Sequence, residues 1–286
     1  MGTFRELHHR IKRLGRHKAL FDAVNQNRGK GRSHGFAYQV IVIYAQNGNL
    51  RRNIEVYSVT VFDHLGGKKV PRRKTQLQVF GRNIFLDELA AMDNCIILAP
   101  QTICDGAINK YEWIASGSGK PGIHVWDGAA GGFKAREEAL EDIPHTIGMQ
   151  AAEALLYKFI DENRIDKNRI YVGGISMGGC ATWEILARNP ELFAAAVPLC
   201  GSGILSSAPS LVDVNIWAFH GTGDKTVWTE GTTRMVDAIH AAGGTKIHYT
   251  PISENFGHSI WNPSYITKNE AGQTPAQWMM EQVKGK

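Results

Sequence analysis

From residue 35 onward, short runs of β-branched and aromatic residues alternate with segments whose apolar side chains recur at helical spacing. The first two runs, residues 36–44 and 54–62, flank Gln46-Asn47-Gly48-Asn49, and Asn-Gly between two such runs predicts a β-hairpin. A helical segment over 84–92 and a buried strand over 95–100 follow. After Pro144 an amphipathic helix is predicted over 145–162, with Ile147, Ala151, Leu155, Leu156, Phe159 and Ile160 on its apolar side. Beyond it the pattern predicts a strand over 169–172, a helix over 181–187, strands over 194–199 and 215–219, a helix over 230–242, a strand over 246–250 and a last helix over 276–283. Strands and helices alternating at this spacing build a mainly parallel, doubly wound sheet covered on both faces, so the predicted fold class is α/β.

Two regions break the pattern. Residues 101–133 are rich in glycine, show no periodicity and carry Tyr111, Trp113, His124 and Trp126. A structureless stretch that long is expected to be a lid or a binding loop. In residues 1–34, Leu7, Ile11, Leu14, Phe21 and Val24 can share one helix face opposite a basic one, and residues 25–35 read as a linker. The expected organisation is a basic extension over 1–34 followed by a catalytic domain over 35–286.

The most informative stretch is Tyr171-Val172-Gly173-Gly174-Ile175-Ser176-Met177-Gly178-Gly179-Cys180, an apolar run that ends in Gly-x-Ser-x-Gly and passes into a helical pattern. A serine at a sharp strand-to-helix turn has a strained backbone, and its neighbours must be small because strand and helix approach closely there; Gly174, Gly178 and Gly179 fit that requirement. The turn also aims the first amides of the helix at the space above the serine oxygen, which makes the Met177 N–H the candidate oxyanion donor.

A serine hydroxyl becomes a useful nucleophile when a base takes its proton, and near neutral pH that base is usually histidine. In a doubly wound sheet such residues sit at the carboxyl ends of strands. His258, in the loop after the 246–250 strand, meets this condition. His240 falls inside a predicted helix, His248 inside a strand and His145 at a helix start. His220 ends a strand, but Gly221-Thr222-Gly223-Asp224 follows at once, and it is expected to brace that turn. The carboxylate that orients the base is expected to be Asp224, on the loop after the 215–219 strand; Asp213 precedes that strand, and Glu254 is a weaker alternative. Ser176, Asp224 and His258 then occur in the chain order Ser, Asp, His.

With those residues in hand, the chain from about Ile97 onward resembles bacterial serine esterases of the polyhydroxybutyrate-depolymerase and feruloyl-esterase type, which are α/β hydrolases. The resemblance rests on Gly174-Ile175-Ser176-Met177-Gly178-Gly179 with Thr182-Trp183, on Trp217-Ala218-Phe219-His220-Gly221 leading to Asp224 and Val227, on Met235-Val236 and Ala241-Ala242-Gly243-Gly244, and on Gly257-His258 with Trp261. It implies an α/β-hydrolase fold with Ser176 as nucleophile, Asp224 as acid and His258 as base. Relatives usually carry His-Gly and small residues after the third strand, where the second oxyanion amide arises. This chain reads His64-Leu65-Gly66-Gly67 there, so Gly66 is the expected donor and Leu65 the fallback. Trp261, Trp113 and Trp126 are expected to wall the substrate cleft.

Charge and cysteine usage narrow this picture. The net charge is +5, yet residues 1–34 alone hold nine Lys or Arg against two acids, so the remainder is slightly acidic and no nucleic-acid partner is expected for the catalytic domain. Cys95, Cys104, Cys180 and Cys200 show no metal-ligand spacing and read as buried thiols, with a Cys180–Cys200 bridge left open. No metal or organic cofactor is called for. No stretch reaches the ~18 apolar residues of a membrane helix, and the expected location is cytoplasmic, or secreted with a leader removed.

The expected function is hydrolysis of small acyl or aryl esters through an acyl-enzyme. Two alternatives stay open: a serine peptidase of the oligopeptidase kind, and a non-catalytic hydrolase scaffold whose basic arm binds a polyanion.

Overall fold

The computed structural model describes residues 136–163 and 165–285, together with residues 41–47, 56–57, 88, 95–98, 100, 114, 126–127 and 132–133. The basic extension over 1–34, the oxyanion stretch 64–67, Trp113 and most of the 101–133 loop lie outside the described residues.

The described strands are β1 (Ile41–Asn47), β2 (Val56–Tyr57), β3 (Cys95–Leu98), β4 (Trp126–Asp127), β5 (Gly132–Phe133), β6 (Ile165–Ile175), β7 (Ala195–Leu199), β8 (Asn215–Gly221) and β9 (Ile247–Ile252). Seven of them form one sheet in the order β2-β3-β1-β6-β7-β8-β9, and β4 pairs with β5 apart from it. β6 to β9 run parallel, joined by the crossover helices and loops that a parallel pair demands. β1 runs antiparallel to both of its neighbours. The helices are α1 (Ile147–Glu162), α2 (Met177–Arg188), α3 (Glu230–Ala241), α4 (Trp261–Ile266) and α5 (Pro275–Glu281).

Side chains alternate across the central strands, and both sets are buried. Ile170, Val172, Ala196, Ile216 and Ala218 face a core built with Met149 and Leu156 of α1, Trp183 and Leu186 of α2, and Met235 and Ile239 of α3. Tyr171, Val197, Leu199, Trp217 and Phe219 face the other side, where Tyr265 of α4 and Ala276, Trp278 and Met279 of α5 cover them. Burial on both faces is why these strands read as continuous apolar runs. Trp217 meets Trp278 edge-on with ring centroids 5.5 Å apart, and the buried Tyr171 hydroxyl donates to the Gln282 carbonyl oxygen at 2.9 Å. The helix starts follow side-chain chemistry: Thr146 accepts the Met149 amide at the head of α1, and Thr274 forms a capping box with Gln277 ahead of Pro275 in α5.

The hairpin expected from Asn47-Gly48 is not the arrangement found. One edge of β1 is taken by β3 and the other by β6, and β2 pairs with β3 in parallel. With both ladders of β1 occupied, no edge remains for a hairpin partner. Turn chemistry signals a reversal, but which strands pair is decided by what can bury them.

A buried ion cluster ties the segment entering α1 to α2. The Arg136 guanidinium donates to Glu184 Oε2 at 2.8 Å with both side chains out of solvent, and Arg188 donates to Glu184 Oε1 at 2.8 Å and to the Ile143 carbonyl oxygen. The backbone of Arg136 also bridges to Ile204 in parallel.

Strand β6 and helix α2 meet with no room to spare. A Cβ placed on Gly174 would run into the Gly178 carbonyl, and one on Gly179 would run into the Leu199 carbonyl oxygen of β7. Both obstacles are backbone, so neither yields by rotating a side chain. Gly179→Ala is therefore expected to destabilise the fold by about 2–3 kcal/mol or more, read as a lower midpoint in chemical denaturation.

Candidate active site

The carboxyl ends of β6, β7, β8 and β9 converge on one rim of the sheet, and the residues just beyond them form the candidate site. Ser176 occupies the turn between β6 and α2 with φ +59° and ψ −119°, a left-handed backbone that non-glycine residues rarely adopt. It is held there by its own N–H donating to the Leu199 carbonyl oxygen at 3.0 Å and by its carbonyl accepting the Cys180 amide at 2.9 Å. α2 begins at Met177, four residues earlier than apolar spacing indicates, because Gly178 and Gly179 supply closeness instead of hydrophobic signal. As the first residue of α2, Met177 has no acceptor for its N–H within the helix, and that amide lies at the positive end of the helix dipole.

His258 follows the short 3₁₀ turn Glu254–Phe256, in the connection from β9 to α4. Its Nε2 lies 2.7 Å from Ser176 Oγ, and its Nδ1 lies 2.6 Å from Asp224 Oδ2. A carboxylate only accepts, so the ring proton sits on Nδ1 and Nε2 is left to accept from the serine hydroxyl. The three sequence-predicted residues, 48 and 34 positions apart along the chain, are thus joined in one line of hydrogen bonds.

Asp224 is buried, and all its acceptor positions are filled. Oδ1 accepts the backbone N–H groups of Thr226 at 2.8 Å and Val227 at 3.1 Å. Oδ2 faces His258 at 2.6 Å and His220 at 3.2 Å. Burial alone would raise its pKa, but the hydrogen bonds from His220, His258 and the Thr226 amide, with the charge of His258, outweigh it and hold the carboxyl well below the usual range. It is a fixed anion at any pH near neutrality.

His220 does brace the acid turn, as its position suggests, with both ring nitrogens engaged. Trp261, the first residue of α4, is half-buried and stands edge-on to His258 with ring centroids 6.5 Å apart. Trp126 lies in β4; Gly66, Leu65 and Trp113 are among the undescribed positions.

Sequence reasoning did not pick out Cys200 as a neighbour of the site. It directly follows β7, is fully buried, and has φ +40°. Its sulfur, the Asp224 carboxylate and a His258 nitrogen lie within 4.8 Å of one another. The rule that functional residues gather at the carboxyl ends of strands, applied to β7 as it was to its neighbours, would have found it. The Asp224 carboxylate is already fully occupied by four donors, so this cluster does not offer an open ligand set. The bridge to Cys180 is not formed: both thiols are free. Cys180 Sγ instead accepts the Ser202 N–H at 3.1 Å. Burial pushes the Cys180 thiol up to about 11, and burial together with the Asp224 charge raises Cys200 well above its ordinary value. Neither is a thiolate near neutral pH.

This constellation, on a sheet whose parallel strands end at one rim, matches known proteins in fold. A crystal structure of a thermostable esterase superposes with a TM-score of 0.51 at 28% identity, over 66% of this chain and 44% of that one. The chain has the α/β-hydrolase fold. Residues 149–210 match the model of the prolyl oligopeptidase family, a segment that contains Ser176 and ends before Asp224 and His258. The bifunctional acetylxylan esterase/xylanase XynS20E of Neocallimastix patriciarum is 30% identical over 130 residues, 43% of this chain, which spans only 19% of that protein's length. The resemblance to serine esterases read from the motifs is thus shared by named esterases in sequence and in structure. No helix among the described residues is long and apolar enough to cross a membrane.

Proposed function

We propose that this α/β hydrolase cleaves carboxylic esters of small acyl or aryl groups through a covalent acyl-enzyme. The observation that carries the reading is the continuous path from Ser176 Oγ through both nitrogens of His258 to Asp224, at 2.7 and 2.6 Å. Ser176 Oγ attacks the ester carbonyl carbon while its proton passes to His258 Nε2. The carbonyl oxygen, now negative, is received by the Met177 N–H, with Gly66 or Leu65 as the second donor. The C–O bond to the alcohol then breaks, and the alcohol leaves with the proton from Nε2. Water repeats the sequence against the acyl-enzyme, releasing the acid and regenerating Ser176. Throughout, Asp224 holds Nδ1 protonated and supports the imidazolium. Trp261 flanks the base and offers an aromatic wall beside it.

Esters are preferred over amides here because the two relatives named above are called esterases and one of them acts on acetylxylan by name. The match to the prolyl oligopeptidase family favours a second reading, cleavage of peptides with the same three residues. An ester panel from acetyl to decanoyl and feruloyl, run beside an aminoacyl p-nitroanilide, separates them. The expected outcome is turnover of short-chain or aryl esters with little release from the anilide. Faster anilide than acetate hydrolysis would replace the first reading by the second.

A further inference from the structure

His258 reaches Ser176 and Asp224 from a tight reversal of the chain. The Ser259 N–H donates to the Phe256 carbonyl oxygen at 2.9 Å, and between them Gly257 has φ +51° and ψ −123°. That bond and those angles make a type II′ β-turn with Gly257 at its second position and His258 at its third. L side chains avoid these angles, so the turn calls for glycine. Ser176 holds nearly the same angles, φ +59° and ψ −119°, at the strand-to-helix turn. There the side chain is the nucleophile and the strain is carried; at 257 no side chain is needed and the strain is absent.

The turn bearing His258 leans on the loop bearing Asp224, backbone against backbone. A Cβ on Gly221, the last residue of β8, would run into the Gly257 carbonyl oxygen, and one on Gly223 would come within 2.8 Å of the Glu254 carbonyl oxygen. The Thr222 N–H donates to the Ile252 carbonyl oxygen at 2.9 Å, and the Gly257 N–H donates to that of Glu254 at 2.9 Å. The 257 carbonyl and the 258 side chain belong to consecutive residues, so rotation at Gly257 sets both. It lays the oxygen against Gly221 and turns the imidazole to Asp224, three residues further along the same loop.

We propose that Gly257 is a positioning residue, whose left-handed backbone aims the His258 ring at Asp224 Oδ2 and Ser176 Oγ. For its kinetic consequence this rests on the ester-hydrolase reading; the placement of the ring does not. A Cβ on Gly257 would meet open space, with the Gly223 carbonyl oxygen its nearest neighbour at 4.0 Å. Alanine at 257 is therefore opposed by backbone strain and not by a clash. The chain relieves that strain by leaving the II′ conformation. Doing so breaks the Ser259–Phe256 bond and carries the imidazole off a line whose hydrogen bonds, at 2.6 and 2.7 Å, leave no slack. Ile252 and Ile260, on either side of the turn, stay buried in the core and hold the rest of the fold.

A matched pair of variants of the full chain tests this. Gly243 lies in the connection from α3 to β9, at the amino end of that strand, whereas the site lies beyond the carboxyl ends. It has φ +95°, and a Cβ on it also meets nothing within 4 Å. Gly257→Ala and Gly243→Ala thus carry the same kind of strain in two places, and each should lower the unfolding midpoint by about 2–4 °C. On p-nitrophenyl acetate, Gly257→Ala should lose about 10- to 100-fold in kcat with KM little changed, while Gly243→Ala should match the native protein. Gly257→Asn should fall between, because asparagine is among the residues that II′ turns accept best after glycine.

Independently of turnover, the His258 Nδ1–H shared with Asp224 should give a low-field proton signal, assigned by its loss in His258→Gln. It should persist in Gly243→Ala and be lost in Gly257→Ala. Native kcat in Gly257→Ala, a loss that falls on KM instead, a low-field signal unchanged in that variant, or its absence from the native chain would each overturn the proposal. If Gly257→Ala does not fold, the same readings on Gly257→Asn decide the matter. If the native chain hydrolyses no ester, the reading of the reaction fails, and the proton signal still judges the role of Gly257.

Discussion

Replacing Ser176 with alanine is expected to lower ester turnover by roughly a millionfold, down to the residual acceleration that binding and oxyanion donors give without a nucleophile. The substitution removes one oxygen from a half-buried turn whose strain is imposed by its surroundings: the Leu199 and Cys180 hydrogen bonds and the close approach of Gly174 to Gly178 all survive it. Substrate affinity should change little, so the loss should fall on kcat. Initial rates on p-nitrophenyl acetate for the two proteins, with unfolding midpoints measured alongside, check this. Retention of more than about a hundredth of the rate would mean that another group attacks the ester. Cys200 lies beside Asp224 and His258, but its buried, protonated thiol makes it a poor nucleophile.

Asp224→Asn is expected to cost about 10⁴ in kcat with the fold intact. The direction follows from the hydrogen bonds. The Oδ1 side of residue 224 is met by two backbone N–H groups, which force the amide oxygen of asparagine to that side. Its NH₂ then takes the Oδ2 position and points donors at His258 Nδ1. The ring must answer with a bare Nδ1, which moves its proton to Nε2 and leaves a donor, not a base, facing Ser176. The pH profile of the residual rate should flatten as well, because no fixed anion remains to support the imidazolium. Asp224→Ala should show a similar kinetic loss without the forced tautomer. If Asn were instead nearly as active as Asp, Asp224 would not be orienting the base.

The amphipathic and buried elements were largely legible in the chain. α1 and α3 end within a residue or two of their apolar patterns, and β7, β8 and β9 match theirs, because each buries a long, regular face against a sheet. Ser176, Asp224 and His258 were legible because strand-to-loop transitions carry glycines and polar residues that interrupt the apolar runs. What escaped is short or depends on pairing across the chain. α4 spans six residues and the 3₁₀ segment Leu205–Leu211 seven, too few for a period to show. The pairing of β1 with β6 joins residues more than a hundred positions apart, while the local Asn-Gly signal pointed to a neighbour.

The claim beneath all of this is that Ser176 is the oxygen made reactive by His258 and Asp224. A fluorophosphonate probe followed by intact-mass and peptide analysis tests it most directly, since the probe bonds only to an activated nucleophile. The native protein should gain one probe mass on the peptide containing Ser176, and Ser176→Ala should gain none. Labelling that persists in Ser176→Ala, or native protein that never reacts, would contradict the account.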